Sequence, residues 1–141
     1  MGIFRKGFAV GLLFVSLASS VSMAKDPIDV WYDNCMNQNQ TDAGMRNCTY
    51  KATQMWNRKL NTIYRELMAK LPPKDKKELR ESEIAWINYK KHFLNVDSDT
   101  CSIGGGGGDI CFEGVDADDL DITKRQAKLL EELLDNLEGN P

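Results

Sequence analysis

Apolar residues recur every three or four positions through the middle of the chain. Cys48, Ala52, Met55/Trp56, Leu60, Ile63, Leu67 and Leu71 trace one stripe, the spacing that puts side chains on one buried face of an α-helix. The pattern predicts a helix from about Asp42 to Leu71, with Thr41 or Asp42 as its N-cap. Pro72-Pro73 ends it, because the residue before a proline is pushed out of helical geometry. A second stripe, Leu79, Glu83, Trp86, Tyr89/Lys90 and Phe93, widened by Ile84 and Ile87, predicts a helix from about Pro73 to Leu94. So short a connection implies an antiparallel helix hairpin. A third stripe, Ile122, Gln126, Leu129/Leu130, Leu133/Leu134 and Leu137, predicts a C-terminal helix closed by Gly139. Thr123 and Gln126 fit the two ends of a capping box, which places the start of that helix at Thr123. A short first helix over Asp29–Met36 precedes the polar run Asn37–Gly44, where a turn is expected. No alternating run of strand length occurs. The expected class is all-α: a small helical bundle with a long antiparallel hairpin, a C-terminal helix and a short N-terminal helix.

Between the last two helices lies Asp97–Asp121, with five consecutive glycines, eight acidic residues and no lysine or arginine. Glycine loses the most backbone freedom on ordering, so this stretch reads as a Gly/Asp-rich loop over 97–121. Cys101 and Cys111 bracket the glycines; Cys35 and Cys48 flank the earlier polar run. Three pairings of the four cysteines are open. The sequential one would close two short loops, each worth about 3 kcal/mol by chain entropy. A straight helix through Cys35 and Cys48 would hold them about 20 Å apart, against the roughly 7 Å limit for a disulfide. Either that bridge is absent or the chain turns back near residues 37–42.

The N-terminus changes the picture of compartment. Arg5 and Lys6 precede the apolar run Gly7–Ala18, and Ser22-Met23-Ala24 supplies small residues before a cut. This is the layout of a signal peptide over residues 1–24, leaving one domain over 25–141. The apolar run is too short to span a bilayer, and no cysteine follows the cut to carry a lipid. Four cysteines in an exported chain then read as two disulfides. The formal charge is −3, and loss of Arg5 and Lys6 makes the mature chain more acidic still. Nucleic acid is an unfitting partner for such a balance.

Candidate chemistry is sparse. His92 is the one histidine and no C-x-x-C occurs, so zinc is not expected. No nucleophile signature surrounds His92, and the glycine run lacks the Lys-Ser/Thr of a phosphate loop. Asp116, Asp118, Asp119 and Asp121 supply oxygens at close spacing, but without the glycine turn and distal glutamate of an EF-hand. No cofactor and no catalysis are expected.

The order Cys35…Cys48, Leu60-Asn61-x-x-Tyr64, Leu79-x-x-x-Glu83-x-x-Trp86-Ile87-x-Tyr89 and Thr123-Lys124-Arg125 resembles the LprI-like lysozyme-inhibitor family of small exported helical bacterial proteins. The resemblance covers about Val30 to Leu134. The chain departs from it at Asn57, where the family has aspartate; at Glu83, where it has glutamine; and at Lys90-Lys91, where it has Arg-Asp. Cys101 falls seven residues later than the family's cysteine, and Cys111 lies well ahead of Thr123. The resemblance implies binding and inhibition of a lysozyme or related peptidoglycan hydrolase. Asn61, Tyr64, Trp86 and Tyr89 would form a polar and aromatic cluster between two helices, with a structural role. The partner-binding surface is expected at Gly104, Gly105, Gly106, Gly107, Gly108, Asp109, Asp116 and Asp118. Glycine N–H groups would face the hydrolase's catalytic carboxylates there, with acids on the rim. Two other functions fit the same scaffold: an immunity protein against a delivered toxin, and an envelope protein with no enzyme target.

Overall fold

The computed structural model describes residues 25–104 and 108–139; the expected signal peptide lies outside them. The described residues form four helices and no strand: α1 (Pro27–Gln38), α2 (Asp42–Lys70), α3 (Pro73–Ile103) and α4 (Asp109–Glu138). None is long and apolar enough to cross a membrane.

Local chemistry sets most ends. Asp26 caps α1 by accepting from the Ile28 N–H at 2.9 Å, with Pro27 in the first turn, where a missing N–H does no harm. Thr41 caps α2, accepting from the Gly44 N–H at 3.1 Å. Leu71 leaves helical geometry before Pro72, and α3 begins at Pro73. Gly139 closes α4 with φ of 71°, a backbone conformation that favours glycine.

The chain turns at Asn39–Thr41, and Cys35 and Cys48 are bonded with their Cα atoms 5.8 Å apart; Cys101 and Cys111 are bonded at 5.7 Å. The disulfides are thus the sequential pair, each closing a helical hairpin.

The stretch 97–121 differs from the loop the sequence suggests. Helix α3 continues through Ile103 and α4 starts at Asp109, which confines the connection to a few glycines. Lys90, Leu94, Asp97 and Cys101 share one face of α3 at helical spacing; packing on α4 and the Cys101–Cys111 bridge hold that face in place. The hydroxyls of Thr100 and Ser102 bond back to the carbonyls of Asp97 (2.8 Å) and Ser98 (3.2 Å). They join the helix instead of breaking it. Thr123 is accordingly not an N-cap: it lies in the interior of α4, fully buried.

Ion pairs and a hydrogen bond fix the directions. Arg46 with Asp116 and Lys70 with Glu138 join α2 to α4 along a parallel course. Lys90 with Asp119 and Gln126 with Glu83 run α3 back along α4. The core lies mainly between α2 and α4: Trp56, Leu60, Ile63 and Leu67 face Leu120, Ala127, Leu130 and Leu134, and Leu79 enters from α3. Helix α3 packs chiefly on α4, so the arms of the α2/α3 hairpin stand apart beyond their proline turn.

Helix α1 covers the outer side of α2 and α4 through a charged seam. Trp56 is 1% exposed, and the ammonium groups of Lys59, Lys124 and Lys128 lie 5.1, 5.6 and 5.4 Å from its ring centroid. Asp26 and Glu131 each bind both Lys59 and Lys128, and Asp29 binds Lys124 at 2.7 Å. Burial opposes the charged form of Asp26, but bonds from Lys59, the Ile28 N–H and Lys128 outweigh it and hold the pKa at about 2.

Candidate functional site

Two places on the bundle gather residues that the sequence singles out. The first is a groove of about 480 Å³ where α2 and α3 stand apart. Leu60 is its buried floor, Tyr64 and Trp86 are half-buried in its walls, and Asn61 sits at its edge. The Asn61 amide donates to the Asn57 carbonyl of its own helix at 2.8 Å. Tyr89 is not part of this cluster. Three residues beyond Trp86 on a helix, it lies on the outer shoulder of α3, 55% exposed, with its ring 5.8 Å from that of Phe93.

Behind the groove, polar groups join α3 to α4. Glu83 is buried and accepts from the Gln126 amide; burial raises its pKa, against the effect of that bond. Lys90 donates to Thr123 Oγ1 at 2.7 Å and pairs with Asp119 at 2.5 Å. Its ammonium lies 5.6 Å from the Trp86 ring centroid. In the sequence, Thr123 and Gln126 fit a capping box and Asp119 an acidic cluster, and none of them points to this network. The signal that could have found this network is helical periodicity carried upstream of Thr123: Asp116, Asp119 and Thr123 fall on one face. Arg125 is exposed and pairs with Asp121.

The second place is the tip where α3 meets α4. Gly104 ends α3, its N–H donating to the Thr100 carbonyl at 3.0 Å, and Gly108 is the N-cap of α4. Gly105, Gly106, Gly107 and the side chain of Asp109 lie outside the described residues. Asp116 pairs with Arg46 at 2.8 Å, and the Arg46 guanidinium lies 5.9 Å from the Phe112 ring centroid. Asp118 is exposed; burial first, then the neighbouring Asp97 carboxyl, raises its pKa. Asp97 Oδ2 and Glu113 Oε1 are buried without a hydrogen-bond partner among the described residues. The acids of 116–121 do not form a calcium loop. They lie on a helix, where each residue turns about 100° from the last, and Asp116, Asp119 and Asp121 pair with Arg46, Lys90 and Arg125. No group of three potential metal ligands occurs among the described residues.

Comparison with known proteins agrees with this architecture. The chain is similar to an uncharacterised protein of Burkholderia thailandensis whose crystal structure is known. The TM-score is 0.69 at 22% identity, over 82% of this chain and 56% of that one. At that identity the likeness speaks for the fold alone, and this chain spans little more than half of that protein's length. No curated protein matches the chain. The family model for the lysozyme inhibitor LprI matches residues 34–107, just over half of the sequence, from the end of α1 to the glycine run. The chain belongs to the lysozyme inhibitor LprI family.

Proposed function

We propose that this protein is exported after removal of residues 1–24 and binds and inhibits a lysozyme or related peptidoglycan hydrolase in the cell envelope or outside it. The observation that carries the reading is the family match over residues 34–107. Two disulfides in so small a chain support an oxidising compartment. The contact surface in this reading is the α3/α4 tip, Gly104–Gly108 with Asp116 and Asp118. The bridge brings the ends of the glycine run together, and a glycine backbone approaches a partner more closely than any other. Backbone N–H groups of the glycine run would donate to carboxylates in the hydrolase cleft. Surrounding acids would steer the protein toward a basic enzyme, an effect that salt screens within about 10 Å at 0.1 M.

The test is lysis of a peptidoglycan suspension by lysozymes of several classes, with and without the purified mature protein. Dose-dependent inhibition of at least one class, weakening with added salt, supports the proposal. Absence of both inhibition and binding across the panel contradicts it.

A further inference from the structure

Helices α4 and α1 cover two sides of α2, while the side of α2 that faces α3 carries no covering element among the described residues. The groove left there, of about 480 Å³, has a mainly apolar interior. Ile84 and Ile87, at 54% and 56% exposed, form its outer wall above Leu60 and Tyr64. Single exposed isoleucines are ordinary on a protein surface; a pair lining an apolar groove is the arrangement that marks a docking surface.

Charge says what fits. In this acidic chain, Arg80 and Lys91 line the groove, and neither makes an ion pair among the described residues. Both lie on the same shoulder of α3 as Ile84 and Ile87, eleven residues apart, so they bracket the apolar wall at a separation of about 16 Å. The carboxylate nearest the floor, Glu83, is turned inward to Gln126 and leaves these cations unanswered. An anion with one head and a hydrocarbon tail would satisfy one cation alone. A helix with acidic residues three turns apart and apolar residues between them would satisfy both and fill the groove, the helix-in-groove mode of recognition.

We propose that the α2/α3 groove seats an acidic amphipathic helix of a partner protein, held by Ile84 and Ile87 between the charges of Arg80 and Lys91. This surface is separate from the α3/α4 tip and does not depend on the identity of any hydrolase bound there. A contact of this size falls below the standard protein interface, so binding is on the order of 10 μM.

The probe is a fluorescent ~18-residue helical peptide with two glutamates eleven positions apart and leucines on the face between them. Binding is read by anisotropy against the full mature protein. The acidic peptide is expected to bind, and a lysine-for-glutamate version to bind at least about tenfold more weakly. The double reversal Arg80→Glu/Lys91→Glu should exchange the two preferences while leaving the melting temperature and any lysozyme inhibition unchanged. The proposal is overturned if both peptides bind alike, or if the double reversal leaves the preference as it was. It is equally overturned if the groove takes up a long-chain fatty acid but neither peptide, or if the protein self-associates through Ile84 and Ile87.

Discussion

The two disulfide hairpins of this molecule are built alike and furnished differently. Cys35–Cys48 ties α1 to α2 at a sequence separation of 13, and Cys101–Cys111 ties α3 to α4 at a separation of 10. The first sits on the core: Cys48 is fully buried, and beyond it every lysine around Trp56 is met by a carboxylate. At the second, both cysteines are only half-buried. There Asp97 Oδ2 and Glu113 Oε1 are buried without partners among the described residues, and Asp118 lies against Asp97. An unsatisfied buried acceptor costs about 1–3 kcal/mol. The α1/α2 end therefore has its charges matched, and the α3/α4 tip is the less well satisfied of the two.

Opening the bridges separates the two ends most strongly. Cys35→Ser with Cys48→Ala should cost about 3–4 kcal/mol in urea unfolding, from loop entropy and a gap beside the core. Cys101→Ser with Cys111→Ser should cost about 2 kcal/mol, because the freed helix ends can fray and relieve the crowded acids. Equal losses would remove the distinction.

Asp26 gives the next effect. Its pKa is lowered from 3.8 to about 2, so the stability it contributes is present above pH 4 and is lost as pH falls through that interval. Asp26→Asn should lower stability at pH 7 by about 1–2 kcal/mol, because asparagine keeps the cap but leaves Lys59 and Lys128 to share Glu131 alone. It should also flatten the acid limb of the stability curve. An unchanged acid limb would show that the seam around Trp56 is not what fastens α1.

Asp118 should respond in the opposite sense and weakly. Its raised pKa means that any favourable contribution is present at low pH and is lost as pH rises through the folded value. Asp118→Asn should be neutral or slightly stabilising at pH 7, within about 0.5 kcal/mol. A clear destabilisation would mean that the tip acids are structural.

The same contrast runs through what was legible in the sequence. The stripe from Cys48 to Leu67, the stop at Pro72-Pro73, the Thr41 cap and the Gly139 cap follow from periodicity and local chemistry, and all four stand in the structure. The interval 97–121 was not legible, because glycine, aspartate and serine content speaks for a loop. Packing on a neighbouring helix and a disulfide override those propensities. Thr123 misled for a related reason. Its spacing to Gln126 imitates a capping box, whereas its hydroxyl bonds Asp119 one turn back within α4 and receives Lys90 from α3. In the candidate sites, motif spacing brought Tyr64 and Trp86 into one groove. It could not reveal that α3 leans on α4, which is what leaves that groove open and turns Tyr89 outward.

The central claim is that the α3/α4 tip, and no other surface, acts on the hydrolase. Its most direct test compares lysozyme inhibition by the wild-type protein with that of a variant whose Gly104–Gly108 run is a Ser-Ala linker of equal length, with Cys101 and Cys111 intact. The expected result is an unchanged urea midpoint and at least about a tenfold loss of inhibition, the effect of roughly 1.4 kcal/mol at the contact. Full inhibition by the linker variant would contradict it.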